Sequence, residues 1–177
     1  MKNQTLTRSD SKNKSTTQQA LVIKEYAGGF KETTKYFTAT IYKNFRELTN
    51  DPTLKHTPNE INKLLKSPKM YSLLVYDSVH KMLAYLIGEI MELQNGRMVF
   101  YITYIYVASK YRGLGIASKL INIIFSKVDS WDLDGIMLIC DTENKLVHDF
   151  YLKRGFMPDQ TYRRYDQHEV ISWYKNK

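Results

Sequence analysis

The chain has 177 residues, of which 43% are hydrophobic and 25% charged, and a net charge of +8. That size and make-up suit one ordinary globular domain with room for a real core. No apolar run approaches the ~20 residues of a membrane span, no apolar stretch near the start reads as a secretory signal, and a single cysteine excludes an internal disulfide.

These exclusions lead to the expectation of an intracellular, cytoplasmic protein, a nuclear place remaining open, with no membrane partner. Residues 1–20, rich in Ser, Thr, Asn, Gln and Lys without periodicity, read as a disordered polar and basic tail. Lys2, Arg8, Lys12 and Lys14 against Asp10 give that tail +3, leaving +5 on residues 21–177, which read as one domain. Basic charge of this size attracts phosphates. No Lys/Arg run is dense enough to argue for nucleic acid alone, so that partner has only weak support.

In chain order, "ALVIKEYA" is short, apolar and β-branched, as in a strand. "KETTKYFTATIYKNFRELT" places Tyr36, Phe37, Ile41, Phe45 and Leu48 near helical spacing. "TPNEINKLLK" is a second helix, with Thr57 as N-cap, Pro58 in the first turn and Glu60 completing a capping box. "MYSLLVYD", "KMLAYLIGEIMEL" and "RMVFYITYIYVA" then read as strands separated by "SVH" and "QNG". A glycine turn follows, and after it Ala117, Leu120, Ile121, Ile124, Phe125 and Val128 share a helical face. "GIMLIC" is a buried strand and "NKLVHDFYLKRG" a short helix that Gly155 ends. Phe156 onward supplies one or two closing strands. Hairpins first and a parallel crossover later predict an α/β (α+β) fold, a mixed sheet with helices on both sides.

The glycine turn carries the chemistry. Gly113 and Gly115 flank Leu114 between a strand and a helix. Glycine lets backbone approach a ligand, and the first N–H groups of a helix lack intrahelical acceptors. With the helix dipole and Arg112, the turn suits a phosphate or pyrophosphate. It is not a P-loop, because GxxxxGK[ST] is absent. "GLGIAS" imitates a dinucleotide fingerprint and Asp141 ends the next strand, but too little chain follows for the repeated units of that fold. No Cys/His set has metal-ligand spacing, so no metal is expected.

Arg112-Gly113-Leu114-Gly115-Ile116-Ala117 resembles the Q/R-x-x-G-x-G/A signature of the GCN5-related N-acetyltransferase (GNAT) family. About thirty residues later, Asn144, Val147, Phe150, Tyr151, Lys153, Gly155 and Phe156 match that family's second pattern. The resemblance covers roughly residues 20–170. It implies a central, mostly antiparallel mixed sheet of six to seven strands with about four helices.

It further implies acetyl-CoA as co-substrate and direct transfer of acetyl to a primary amine, on a protein N-terminus, a lysine or a small molecule. The pyrophosphate would lie on Arg112, Gly113, Leu114, Gly115, Ile116 and Ala117, with Ser118 and Lys119 close behind. The pantetheine arm would run along Ile105, Tyr106 and Val107. Asn144 would touch the cofactor, cap its helix, or do both. Tyr151 would be the general acid for the leaving thiolate; its alternative is packing beside Phe150. Some family members carry a glutamate on the strand before the turn, but Met98–Val107 contains no carboxylate. The base candidates are therefore Glu89, Glu92, Asp141 or water held by Tyr101, Thr103 or Tyr104. The missing carboxylate also leaves an acyl-CoA-binding protein without turnover, acting through a partner, as an alternative. Monomer and homodimer are both expected forms.

Overall fold

The computed structural model describes residues 3–6, 21–30, 34–48, 56–163 and 169–177. Its strands form one sheet: β1 (Asn3–Leu6), β2 (Leu21–Ala27), β3 (Met70–Tyr76), β4 (Met82–Glu92), β5 (Met98–Val107), β6 (Gly135–Asp141), β7 (Met157–Arg163) and β8 (Glu169–Asn176). The sheet order is β1-β2-β3-β4-β5-β6-β8-β7, antiparallel throughout except for the β5–β6 pair. The helices are α1 (Lys35–Leu48), α2 (Pro58–Lys66), α3 (Ile116–Phe125) and α4 (Lys145–Leu152). This is the mixed, mostly antiparallel sheet with four helices that the family resemblance implies.

Two layers cover the sheet. On one face, α3 and α4 pack on β-strand residues such as Leu73, Leu86, Phe100 and Leu138, with Leu120, Ile121, Ile124 and Tyr151 contributed by the helices. On the other, Ile41 of α1 and Ile61, Leu64 and Leu65 of α2 meet Leu74, Tyr85, Ile87 and Tyr104. Burying side chains of this size stabilises by roughly 1.5–3 kcal/mol each, and it is this packing that fixes short helices such as α2 and α4. The capping box at α2 forms as read: Glu60 N–H donates to Thr57 Oγ1, and Thr57 N–H donates to Glu60 Oε2.

One reading is corrected. Asn3–Leu6, inside the segment read as a structureless tail, pairs with Lys24–Leu21 and brings the strand count to eight. Main-chain bonding to the open edge of β2 makes this strand, and side-chain periodicity does not reveal such bonding. Residues 7–20 lie outside the described residues.

The centre of the sheet is irregular. Ile87 pairs with Tyr104 but Gly88 pairs with Ile102, so Thr103 is an extra residue in β5. Such a bulge bends its strand and shifts its side-chain alternation. Phe100 and Ile102 face the α3/α4 core before the bulge, and Ile105 and Val107 face it afterwards. Gly88 is required opposite the bulge: a Cβ there would stand 2.2 Å from the Tyr101 carbonyl oxygen. Pairing between β5 and β6 covers Val99–Ile102 against Gly135–Leu138 and stops at this point. Beyond it β5 pairs with β4 and β6 with β8, and their facing edges diverge.

Candidate functional site

The divergence of β5 and β6 organises the site. Ile105, Tyr106 and Val107 lie on the freed length of β5, held on one side by Leu86, Tyr85 and Ala84. Among the described residues their other edge has no partner strand beyond Ile102, and such an edge can accept an added extended segment; the Val107 carbonyl on it is already taken by Arg112. Ile105 and Val107 pack against the α3/α4 core, while Tyr106 stacks on Tyr85 with ring centroids 5.4 Å apart.

At the end of β5 the chain makes one 3-10 turn, Ser109–Tyr111, and enters the glycine loop. Arg112 Nε donates to the Val107 carbonyl at 2.9 Å, fixing the guanidinium beside the strand end. Gly113 and Gly115 both have φ of +76°, the left-handed region that favours glycine. A Cβ at either would meet nothing within 4 Å, so the loop is open to a ligand. Gly115 is the N-cap of α3, and no side-chain cap closes the helix. The N–H groups of Ile116, Ala117 and Ser118 therefore precede the ladder, whose first bond is Lys119 N–H to the Gly115 carbonyl at 3.0 Å.

This separates the residues expected at the turn. Gly113, Gly115, Ala117 and Ser118 present backbone to it, and Leu114 is 44% exposed. Ile116 offers only its N–H, since its side chain is buried in the core. The Lys119 N–H is already used in the helix, which leaves its side chain as the available group.

Arg154 belongs to this site, although the sequence reading did not assign it there. Its Nε donates to Ser118 Oγ at 2.9 Å, and a second guanidinium nitrogen reaches the same oxygen. The guanidinium also bonds the Phe150 carbonyl and lies 3.5 Å from the Phe150 ring centroid. It thereby clamps α4 to the first turn of α3. A contact across 36 positions leaves no local signature; the only hint was Arg154 beside Phe150 on one helical surface.

Tyr151 is 5% exposed, between Phe150, Phe156 and Trp173. Burial, and then the neighbouring Cys140, raise its phenol well above the ordinary tyrosine value, while Arg154 opposes them. The phenol is thus held protonated, the form a general acid needs. Burial also pushes the Cys140 thiol up to about 11. Asn144 caps α4, its Oδ1 accepting from Val147 N–H at 3.3 Å. Its exposed side chain keeps an amide NH2 for a ligand.

Glu89 lies on the opposite face of the sheet from Tyr151. It faces a cavity of about 330 Å³ lined by His56, Glu60, Lys63, Leu64, Ser67, Glu89, Tyr101, Thr103 and Tyr104. The bulge turns both Thr103 and Tyr104 into this cavity. Ser67 Oγ donates to Glu89 Oε2 at 3.0 Å. Glu92 sits at the far end of β4, and Asp141 Oδ1 accepts from Glu143 N–H at 2.9 Å. The cavity lies between α2 and the sheet. Among the described residues no cluster of three or more His, Cys, Asp or Glu could hold a metal, and no helix is long and apolar enough to cross a membrane.

Comparison with known proteins agrees with this architecture. Over 72 residues the chain is 38% identical to N-alpha-acetyltransferase 30 of Saccharomyces cerevisiae, a stretch covering 41% of each protein. The fold matches the NatC complex bound to Gag peptide and CoA with a TM-score of 0.68 and 21% identity, over 88% of this chain and 98% of that one. It matches Arabidopsis thaliana NAA60 in complex with acetyl-CoA with a TM-score of 0.67 and 13% identity, again over 88% and 98%. At such identities the structural likeness is one of fold. The model of the acetyltransferase (GNAT) family matches residues 38–156, two-thirds of the sequence, and the chain belongs to that family.

Proposed function

We propose that this acetyltransferase moves acetyl from acetyl-CoA directly to the α-amine of a peptide or protein N-terminus. One observation carries the reading. The same bulged segment of β5 offers an open backbone edge towards the glycine loop and turns two side chains, Thr103 and Tyr104, into a cavity on the other face of the sheet. A donor along the edge and an acceptor in the cavity would meet at one stretch of backbone. The likeness to N-alpha-acetyltransferase 30 supports an N-terminal amine over a lysine or a small molecule.

Acetyl-CoA, when bound, supplies an activated thioester. The N–H groups of Ile116, Ala117 and Ser118, with Arg112, fit its phosphates. Main-chain groups of Ile105–Val107 fit the pantetheine amides, and a β5 N–H would stabilise charge on the thioester oxygen. Asn144 adds an amide contact. Tyr151 protonates the leaving thiolate. Its burial makes that transfer uphill from a phenol to a thiol of ordinary pKa ~8.5, and the positive charge of Arg154 reduces the deficit. Glu89, at the wall of the cavity, orients the incoming amine. Direct transfer needs no acyl-cysteine, which suits the weakly ionised Cys140. A reducing intracellular compartment also suits that free thiol.

The test is a panel of peptides with varied N-terminal residues, incubated with acetyl-CoA and the full chain. The expected result is CoA release with acetylation at the α-amine, abolished by blocking that amine. Acetyl-CoA binding without turnover on any peptide, lysine or small amine would support a binding protein instead.

A further inference from the structure

The acceptor cavity contains a pair of titratable groups that the mechanism above does not use. His56 Nδ1 and Tyr104 Oη are 2.6 Å apart, joining the segment before α2 to the bulge of β5 across 48 positions. The ring of Phe45 on α1 packs 4.8 Å from the His56 ring and 5.9 Å from that of Tyr104, holding both in place. Tyr104 is 6% exposed, while His56 is half-buried at the cavity wall. Both line the cavity, and the main chain of Tyr104 belongs to the β5 segment whose open edge faces the glycine loop.

An N-terminal amine arrives largely as ammonium, since its ordinary pKa is ~8. A base near neutrality removes its proton best. Imidazole, at ~6.5, fits that range more closely than a carboxylate at ~4.3. Resting on the reading of the chain as an α-amine acetyltransferase, we propose that His56 deprotonates the acceptor through the Tyr104 hydroxyl. The ammonium gives a proton to the Tyr104 oxygen as the Tyr104 hydroxyl proton passes to His56 Nδ1. A neutral amine, a neutral phenol and an imidazolium result, and the imidazolium returns its proton to solvent.

The surroundings support this direction of travel. Burial, then Glu60 and Tyr101, keep the Tyr104 phenol protonated, so its hydroxyl has a proton to pass to His56 Nδ1. Among the described residues that line the cavity, the charged and titratable neighbours are Glu60 and Lys63 on α2, Glu89 on β4 and Tyr101 on β5. From α1, Glu47 acts on the adjoining Tyr85 and Tyr106. Glu60 accepts from the Thr57 N–H and Glu89 from Ser67, so each carboxylate already has an oxygen in a hydrogen bond. Tyr104 is the positioning and relay group, and His56 the proton acceptor behind it.

The experiment is the pH dependence of kcat at saturating acetyl-CoA, using a peptide that the wild-type chain acetylates. The wild type is expected to rise with pH through the histidine range, ~6.5. His56→Gln keeps a hydrogen-bond acceptor for Tyr104 but cannot take the proton. It is expected to lose about 10²-fold in kcat near neutrality, with its limb moved towards the α-amine range, ~8. Tyr104→Phe keeps the aromatic packing and is expected to give the same shift, so it decides the matter if His56→Gln does not fold. Acetyl-CoA affinity stays at the wild-type level in both. Wild-type limbs in both variants, or a limb abolished only by Glu89→Gln, would overturn the proposal. A wild-type chain inactive on every peptide would instead sink the α-amine reading, and this relay with it.

Discussion

Tyr151 and Cys140 sit together where β6 meets α4, and burial raises both of their pKa values. Each makes a separate expectation. Tyr151→Phe keeps the ring among Phe150, Phe156 and Trp173 and removes only the hydroxyl. A fall of about 10²–10⁴-fold in kcat is expected, with acetyl-CoA affinity unchanged by calorimetry. Equal losses in affinity and rate would mean that the hydroxyl serves binding instead. Cys140, pushed up to about 11, is a poor nucleophile below that pH. Its alkylation by iodoacetamide at neutral pH should run far slower than that of a free thiol of pKa ~8.5, and accelerate steeply as pH approaches 11. Fast alkylation at pH 7 would contradict the burial. The sequence showed Cys140 ending an apolar strand and Tyr151 beside Phe150, but not the distant neighbour Trp173 that packs on both.

Among the elements, the bulge of β5 matters most. The sequence marks β5 as a strand, and Thr103 is as good a strand former as its neighbours. The change of alternation is written in the chain, from Phe100 and Ile102 to Ile105 and Val107, but it shows only once burial is known. Gly88 in β4 is the residue that permits it. Gly88→Ala would drive a Cβ into the Tyr101 carbonyl and the Phe100 ring. A destabilisation of about 1–3 kcal/mol is expected, with a fall in Tm of roughly 2–4 °C per kcal/mol. Thermal melting measures it, and an unchanged Tm would mean that the bulge is not held by this contact. The Arg154 clamp makes a different expectation. Arg154→Ala frees α4 from Ser118 and removes the positive charge that eases proton transfer from Tyr151, so it should weaken acetyl-CoA binding by roughly tenfold and lower kcat as well. Unaltered binding would show that α3 keeps its first turn without the clamp. By contrast α2 was legible almost in full, because a capping box is a local device and Thr57 and Glu60 stand three residues apart.

For the whole molecule, the order of hairpins and crossover was readable because periodicity and turn residues are local, and the parallel β5–β6 pair follows from the α3 crossover between them. What escaped was long-range: the β1 pairing, the His56–Tyr104 contact across 48 positions and the divergence of β5 from β6. That divergence reaches beyond catalysis. A sheet normally hides its hydrogen-bonding edges everywhere but at its two ends. This one carries two more in its middle, along Thr103–Tyr106 and Ile139–Cys140. A segment lying between them would act as a missing strand. Acetyl-CoA at 100 times its Kd should therefore raise stability by about 2.7 kcal/mol, with the protection from limited proteolysis concentrated at β5, α3 and β6. Protection spread evenly, or none, would place the ligand elsewhere. If the protection is local, the supply of acetyl-CoA sets how long each copy of the protein survives as well as how fast it works.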